Sequence, residues 1–338
     1  MKRLILFFLA VAILNGGCRK EALPRGQAPR PRIVSFSPNI TEILFDMHLG
    51  EHVVGVTTYC KLPPGQKRRR VGSMFDVNTE TILAAGPDIV LIQSAISRFR
   101  GLASVAPGIR IEHLRIESLA DIPEAMRRIG ELVGRADLAN EATDTFEAKL
   151  ARIAEVARGK PRPRVLFAIG TDRPSVAAKG SFVHDLIIRA GGVNAAEAIP
   201  GRPRWRDATI ESIHKAAPDV IICQVPRAER AAAAREYWMR WADLPAVKTG
   251  RVYVEHDPQW TIASGRMADV GLRLANLVHR SAGQDWPGRP AKYHPWTLWS
   301  ARMWRLLTVA VVGAALAAAG MALQGLLRNP LAEPYILG

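Results

Sequence analysis

"NTETILAAGPDIVLIQ", residues 78–93, and "TIESIHKAAPDVIICQ", residues 209–224, align without a gap at an offset of 131 residues. Each reads as a short helix, then Pro-Asp, then an apolar run of strand length. Proline cannot continue the helix, and an unbroken β-branched run suits a strand covered on both faces. Each unit is preceded by another strand-like run, "RIVSF" from Arg32 and "RVLFAIG" from Arg164. Strands alternating with helices predict an α/β protein with parallel, doubly wound sheets. The repetition predicts two similar lobes, at residues 32–135 and 159–280.

Between the lobes lies "ADLANEATDTFEAKLARIAEVAR", residues 136–158. Leu138, Ala142, Phe146, Leu150, Ile153 and Ala157 recur at helical spacing, with no Gly or Pro between them. About 23 residues at 1.5 Å each make a rod of roughly 34 Å. A single long helix is a stiff connection, so the cleft between the lobes is expected to close only slightly.

The chain has 338 residues, room for two ordinary domains, and 48% apolar residues describe a globular protein. The formal charge of +15 is scattered, and no nucleic-acid-reading motif accompanies it. Its densest run, Lys67-Arg68-Arg69-Arg70, follows Pro63-Pro64-Gly65 and reads as a solvated loop. At the start, Lys2-Arg3, the apolar run from Leu4 to Leu14 and Asn15-Gly16-Gly17-Cys18 form an export signal, residues 1–17. Small residues before Cys18 resemble a bacterial lipobox, with Asn15 where an apolar residue is usual. Cys18 is thus the expected lipidation site, and residues 18–31, rich in proline, the tether. Cys60 and Cys223, 163 residues apart, are expected to stay as buried thiols, although an oxidising compartment would permit a bridge.

Ligands of parallel α/β sheets bind at the carboxyl ends of the strands. "SFSPNITEIL" places Ser37 as a helix N-cap and Pro38 at the first helical position there, where amides face a ligand. Enzymatic readings find no support. No G-x-G-x-x-G follows the first strand, no G-x-S-x-G occurs, and no phosphate loop is present. The eight histidines are dispersed, His48 and His52 being close but beside Gly50, so a metal-ion receptor is disfavoured. No catalytic residue, metal ligand or cofactor is assigned.

"RIVSFSPNITEILFDMHLGEHVVGVTTYC", "VGSMFDVNTETILAAGPDIVLI" and "AGGVNAA", taken together, resemble the periplasmic binding proteins of bacterial cobalamin and iron-siderophore importers. The resemblance runs from about Arg32 to His279. It implies two Rossmann-like lobes, no enzymatic activity, and capture of cobalamin or a related corrinoid, with an iron-siderophore or haem complex as the alternative. It also implies membrane permease subunits and a separate ATPase as partners, and a place on the outer face of the cell membrane. Tyr59 and Trp205 match positions where cobalamin binders place aromatic contacts; Trp260, Met74 and Phe75 are further candidates. Met74 stands where the cobalamin pattern can have Trp, and no Arg is evident around Trp260.

After a linker at residues 281–303, "GAALAAAGMALQGLLRNPLAEPYILG" is similar to the second transmembrane helix and following loop of the same importers' permease. The 22 mostly apolar residues between Arg305 and Arg328 would make one crossing, and Gly313, Ala317 and Gly320 are the small residues helix packing uses. The expectation for residues 304–338 is a permease fragment fused to the binding domain; a split permease, an interrupted gene or an incomplete sequence would each leave this pattern. Arg289, Lys292, Arg302 and Arg305 before the span place its leading end inside by the positive-inside rule, whereas the export signal places it outside. Finally, Glu80 and Glu211 occupy equivalent places in the repeat. The resemblance assigns such residues, one per lobe, to docking on permease arginines, and two separated carboxylates make a two-point electrostatic plug.

Overall fold

A computed structural model describes residues 30–73 and 75–281. The export signal, Cys18, the tether to residue 29, Met74, and the linker and permease-like segment from residue 282 onward lie outside the described residues. Among the described residues, no helix is long and apolar enough to cross a membrane.

The first lobe runs β1 (Ile33–Ser35), α1 (Pro38–Asp46), β2 (Val53–Val56), β3 (Arg69–Arg70), α2 (Thr79–Ala85), β4 (Ile89–Ile92), α3 (Arg100–Val105) and β5 (Arg110–His113). Its five strands are all parallel, in the order β3-β2-β1-β4-β5. Helix α4 (Asp121–Val133) then leads into α5 (Ala136–Ala157), the rod read from the sequence. The second lobe runs β6 (Arg164–Ile169), β7 (Ser175–Ala177), α6 (Phe182–Arg189), β8 (Val193–Asn194), β9 (Trp205–Asp207), α7 (Ile210–Ala216), β10 (Val220–Gln224), α8 (Ala231–Met239), α9 (Pro245–Lys248), β11 (Val252–Glu255) and α10 (Met267–Val278).

The repeated sequences become the α2–β4 and α7–β10 units. Asn78 caps the first helix, its side chain accepting from the Thr81 amide, and Thr209 caps the second in a capping box with Ser212. Gly86 and Ala217 end them in the left-handed conformation, and the proline that follows stops each helix. Strands β4 and β10 are buried along their whole length, as their unbroken apolar runs require.

The second sheet departs from the all-parallel expectation. Its order is β11-β10-β6-β7-β9 with β8 added beside β6, and β7 runs antiparallel to both of its neighbours, β6 and β9. The reason is local. Only residues 170–174 separate β6 from β7, too few for the crossover that a parallel pair needs.

The lobes are not independent. One hydrophobic cluster includes Ile33, Leu44 and Met126, then Phe146 and Ile153 of the rod, then Leu186 and Leu274 of the second lobe. Gly271 lets α10 approach so closely that a Cβ there would stand 2.3 Å from Ile153 Cδ1 and 2.8 Å from Leu186 Cδ2. Polar contacts cross as well. The Phe182 amide donates to the Glu117 carbonyl at 2.9 Å, and the Leu119 amide to Asp185 Oδ2 at 3.0 Å. The lobes therefore share a core and a set of polar staples in addition to the rod.

Candidate functional site

Because β1, β2, β4 and β5 are parallel, their carboxyl ends open on the same edge of the first sheet, and the residues just beyond them converge. Phe36, Ser37, Pro38 and Asn39 follow β1; Thr57 and Tyr59 follow β2; Gln93 and Ser94 follow β4; His113, Arg115, Ile116 and Glu117 end and follow β5. With Phe75 they enclose about 570 Å³, within the 300–1,000 Å³ typical of small-molecule sites. Tyr59 and Phe75 are 63% and 73% exposed, so both rings present open aromatic surface at this pocket.

The wall is held by bonds behind it. Ser37 stands at the helix N-cap position, but its hydroxyl donates to Gln93 Oε1 at 2.8 Å instead of capping α1. Gln93 Nε2 in turn donates to the Ile116 carbonyl at 2.9 Å, tying the ends of β1 and β4 to the segment after β5. The turn that carries Tyr59 is fixed by Arg70, whose Nη1 donates to the carbonyls of Thr57 and Cys60 at 2.7 and 2.8 Å. The buried Cys60 thiol lies 3.0 Å from the Thr57 hydroxyl and 3.1 Å from that of Thr41. Cys60 and Cys223 are both free and buried. Burial pushes the Cys223 thiol up to about 11, so it stays protonated and unreactive at neutral pH. Of the basic run, Lys67, Arg69 and Arg70 are exposed, as read, although Arg69–Arg70 form a strand and not a loop; Arg68 and Arg70 also hydrogen-bond to backbone carbonyls, and Arg68 lies over Phe45.

Asp121 fixes the segment after β5. Burial works against its charge, but the amides of Ser118 and Glu117 and the nearby Arg115 hold its carboxyl below the usual range. From the other lobe, Arg204 pairs with Glu117, so the two lobes meet at the rim of the pocket.

Of the sequence-predicted residues, Ser37, Pro38, Tyr59 and Phe75 come together in this wall. Trp205 does not line it. It is half-buried in the second lobe, edge-on to Phe167 and Phe182 at ring-centroid distances of 6.4 and 6.2 Å. Trp260 does not line the pocket wall either. It is 1% exposed, stacked on Phe167 at 6.0 Å, and the Arg273 guanidinium lies over its ring at 5.4 Å. Arg273 reaches the ring from α10 and also pairs with Glu255 and Asp257 at 2.8 and 2.9 Å. Glu80 and Glu211 sit exposed in the first turns of α2 and α7. Among the described residues, no group of three metal-ligating side chains converges.

Sequence reading missed Gln93, His113, Arg115 and Glu117. Gln93 closes the very repeat that decided the fold. The rule placing ligands beyond strand ends would have found it, and extending that rule to β5 would have found His113. Strand β5, "RIEH", is an edge strand without a fully buried residue, so it carried no apolar signal.

Comparison with known proteins agrees with this geometry. The periplasmic binding protein family matches residues 33–258, and the FecCD transport family matches residues 261–338. A substrate-binding lipoprotein of an ABC transporter in Bacillus subtilis, YvrC, is 28% identical over 258 residues, 73% of this chain and 80% of its own. A vitamin B12-binding protein of Salmonella choleraesuis is 25% identical over 250 residues, 73% of this chain and 90% of its own. Among solved structures, the apo periplasmic heme-binding protein RhuT of a Roseiflexus species superposes with a TM-score of 0.63 at 25% identity, covering 74% of this chain and 98% of its own. With the family matched over more than half the chain and a pocket at the strand ends of the first of two α/β lobes, this protein belongs to the periplasmic binding protein family, the non-enzymatic substrate-binding components of ABC importers, with a FecCD-family segment at its C-terminal end.

Proposed function

We propose that the chain captures cobalamin or a related corrinoid in the cleft and delivers it to a membrane permease driven by a separate ATPase. One observation carries this reading: a pocket of about 570 Å³ at the strand ends, with Tyr59 and Phe75 standing exposed on its wall. Broad, rigid aromatic faces suit a large planar macrocycle better than a bare ion. The vitamin B12-binding relatives support the corrinoid choice.

A second reading, an iron complex such as haem, is favoured by one feature. His113 and Tyr59, both residue types that ligate iron, line the same pocket. Equilibrium titration with cyanocobalamin, haemin and a ferric siderophore separates the two, the ligand being the one that saturates at one equivalent. Binding of bare Zn²⁺ or Mn²⁺ with no response to any of the three would reject both.

The remaining assignments belong to the same proposal. Lipid on Cys18 would hold the domain at the outer face of the membrane, Glu80 and Glu211 would dock it on the permease, and residues 304–338 would contribute a permease-like crossing.

A further inference from the structure

Resting on the cleft being the ligand site, we propose that Glu117 is a resident stand-in for an anionic group of the ligand, and that Arg204 is the cation for which the two compete. The cleft would then select ligands that carry a peripheral carboxylate or phosphate.

The ionisable side chains of the pocket wall are His113, Arg115 and Glu117, and Arg204 reaches the last of them from the second lobe. The two arginines have carboxylate partners of opposite character. Arg115 pairs with Asp121 at 3.1 Å, and that carboxylate is 4% exposed and also accepts the amides of Glu117 and Ser118, both at 2.8 Å. Asp121 cannot leave without stripping two backbone donors, so a carboxylate always stands beside Arg115, whose own side chain is 68% exposed.

Glu117 is held differently. Its backbone is fixed at both ends, the amide on Asp121 and the carbonyl on Phe182, but its side chain is 39% exposed. The carboxylate can swing away without disturbing the fold. Arg204 is equally well anchored. Its amide donates to the Lys179 carbonyl at 3.0 Å and its carbonyl accepts from Ala178 at 2.7 Å. These bonds hold it at φ 73°, a left-handed conformation unusual for a residue with a side chain. The loop thus presents its guanidinium, 43% exposed, at a fixed place on the rim beside Trp205.

A half-exposed ion pair is weak in water and exchanges readily. A carboxylate or phosphate brought in on a bound macrocycle would replace Glu117 like for like, and can engage the guanidinium with two parallel bonds. The displaced Glu117 would turn to solvent. Until then it neutralises Arg204 and repels anions, so it sets a threshold that neutral ligands gain nothing by crossing.

The test uses paired probes on the full-length protein in detergent: haemin against its dimethyl ester, and cyanocobalamin against its monocarboxylic acid derivative. Within a pair the acid carries carboxylate that the ester or amide lacks, the phosphodiester of the cobalamin nucleotide loop being common to both members of that pair. For whichever scaffold binds, the acid should bind more tightly. Glu117→Gln should strengthen the acid by roughly three- to tenfold and the ester or amide member distinctly less, the gain shrinking at high salt. Arg204→Gln should abolish the preference, with thermal melting confirming that the variant is folded. Equal responses of the acid and of the ester or amide member to both substitutions would overturn this inference while leaving the ligand site intact. No binding of either scaffold would overturn the functional reading and this inference with it.

Discussion

Ser264 Oγ donates to Glu42 Oε2 at 2.8 Å, joining the second lobe to α1 of the first across 222 residues of sequence. Arg266 reaches Asp46, one turn along the same helix, at 3.4 Å. Burial raises the pKa of Glu42, offset only in part by Ser264 and Arg266, with Asp46 and Asp257 adding to the rise. Burial likewise raises Asp46 against the pull of Arg266 and Lys149. A carboxyl raised in the folded state contributes stability that is present below its unfolded pKa and lost as pH rises through the folded one. These two groups should therefore make the protein more stable as pH falls through their raised folded values toward the unfolded carboxylate range, about pH 4. Glu42→Gln keeps an acceptor for Ser264 and removes the buried charge. Its melting temperature should equal or exceed the parent's at neutral pH and rise less on acidification, and superimposable melting curves across that range would contradict the assignment.

The two repeat units differ at one revealing position. Gly86 ends the first helix at φ 58°, and Ala217 ends the second at φ 43°. A Cβ in this region costs about 1–2 kcal/mol, against roughly 0.5–1 kcal/mol for the extra freedom glycine brings to the unfolded chain. Ala217→Gly should stabilise the protein by about 0.5–1 kcal/mol, measured by urea denaturation with an unchanged slope. A lower midpoint would show that the alanine is not strained.

The parts that were legible in sequence are those governed by local chemistry. The apolar runs of β4 and β10, the caps Asn78 and Thr209, and the period of the α5 rod each announce their structure within a few residues. Tyr59 and Phe75 followed from resemblance, and Ser37 and Pro38 from the strand-end rule. Contacts between distant segments were not legible. Nothing near Trp260 announces that Phe167 and Arg273 will enclose it, and nothing near Glu117 announces Arg204. The antiparallel β7 and β9 were missed because three-residue strands carry too little pattern to read.

Glu80 and Glu211 project from equivalent first turns. The Glu211 backbone amide and the Thr209 hydroxyl lower its carboxyl pKa, so it is ionised wherever the protein is folded at neutral pH. If the pair docks on permease arginines, Glu80→Lys/Glu211→Lys should abolish co-purification with the permease at low salt, each single change should weaken it, and ligand affinity should stay constant. Unchanged co-purification, or a collapse of ligand binding, would remove the docking role.

Cys18→Ala should abolish incorporation of labelled fatty acid into the chain and release its amino-terminal anchor. Labelling that persists without Cys18 would place the lipid elsewhere.

The claim that ligand is held by the exposed aromatics of the first lobe, and not by the buried tryptophan of the second, has a direct test. Cyanocobalamin and haemin are titrated into the parent, Tyr59→Ala/Phe75→Ala and Trp260→Ala proteins, each also melted without ligand. The double variant should keep its melting temperature and lose at least tenfold in affinity, about 1.4 kcal/mol. Trp260→Ala should instead lose about 3–5 kcal/mol of stability as a core truncation. A double variant that binds as tightly as the parent would contradict the account.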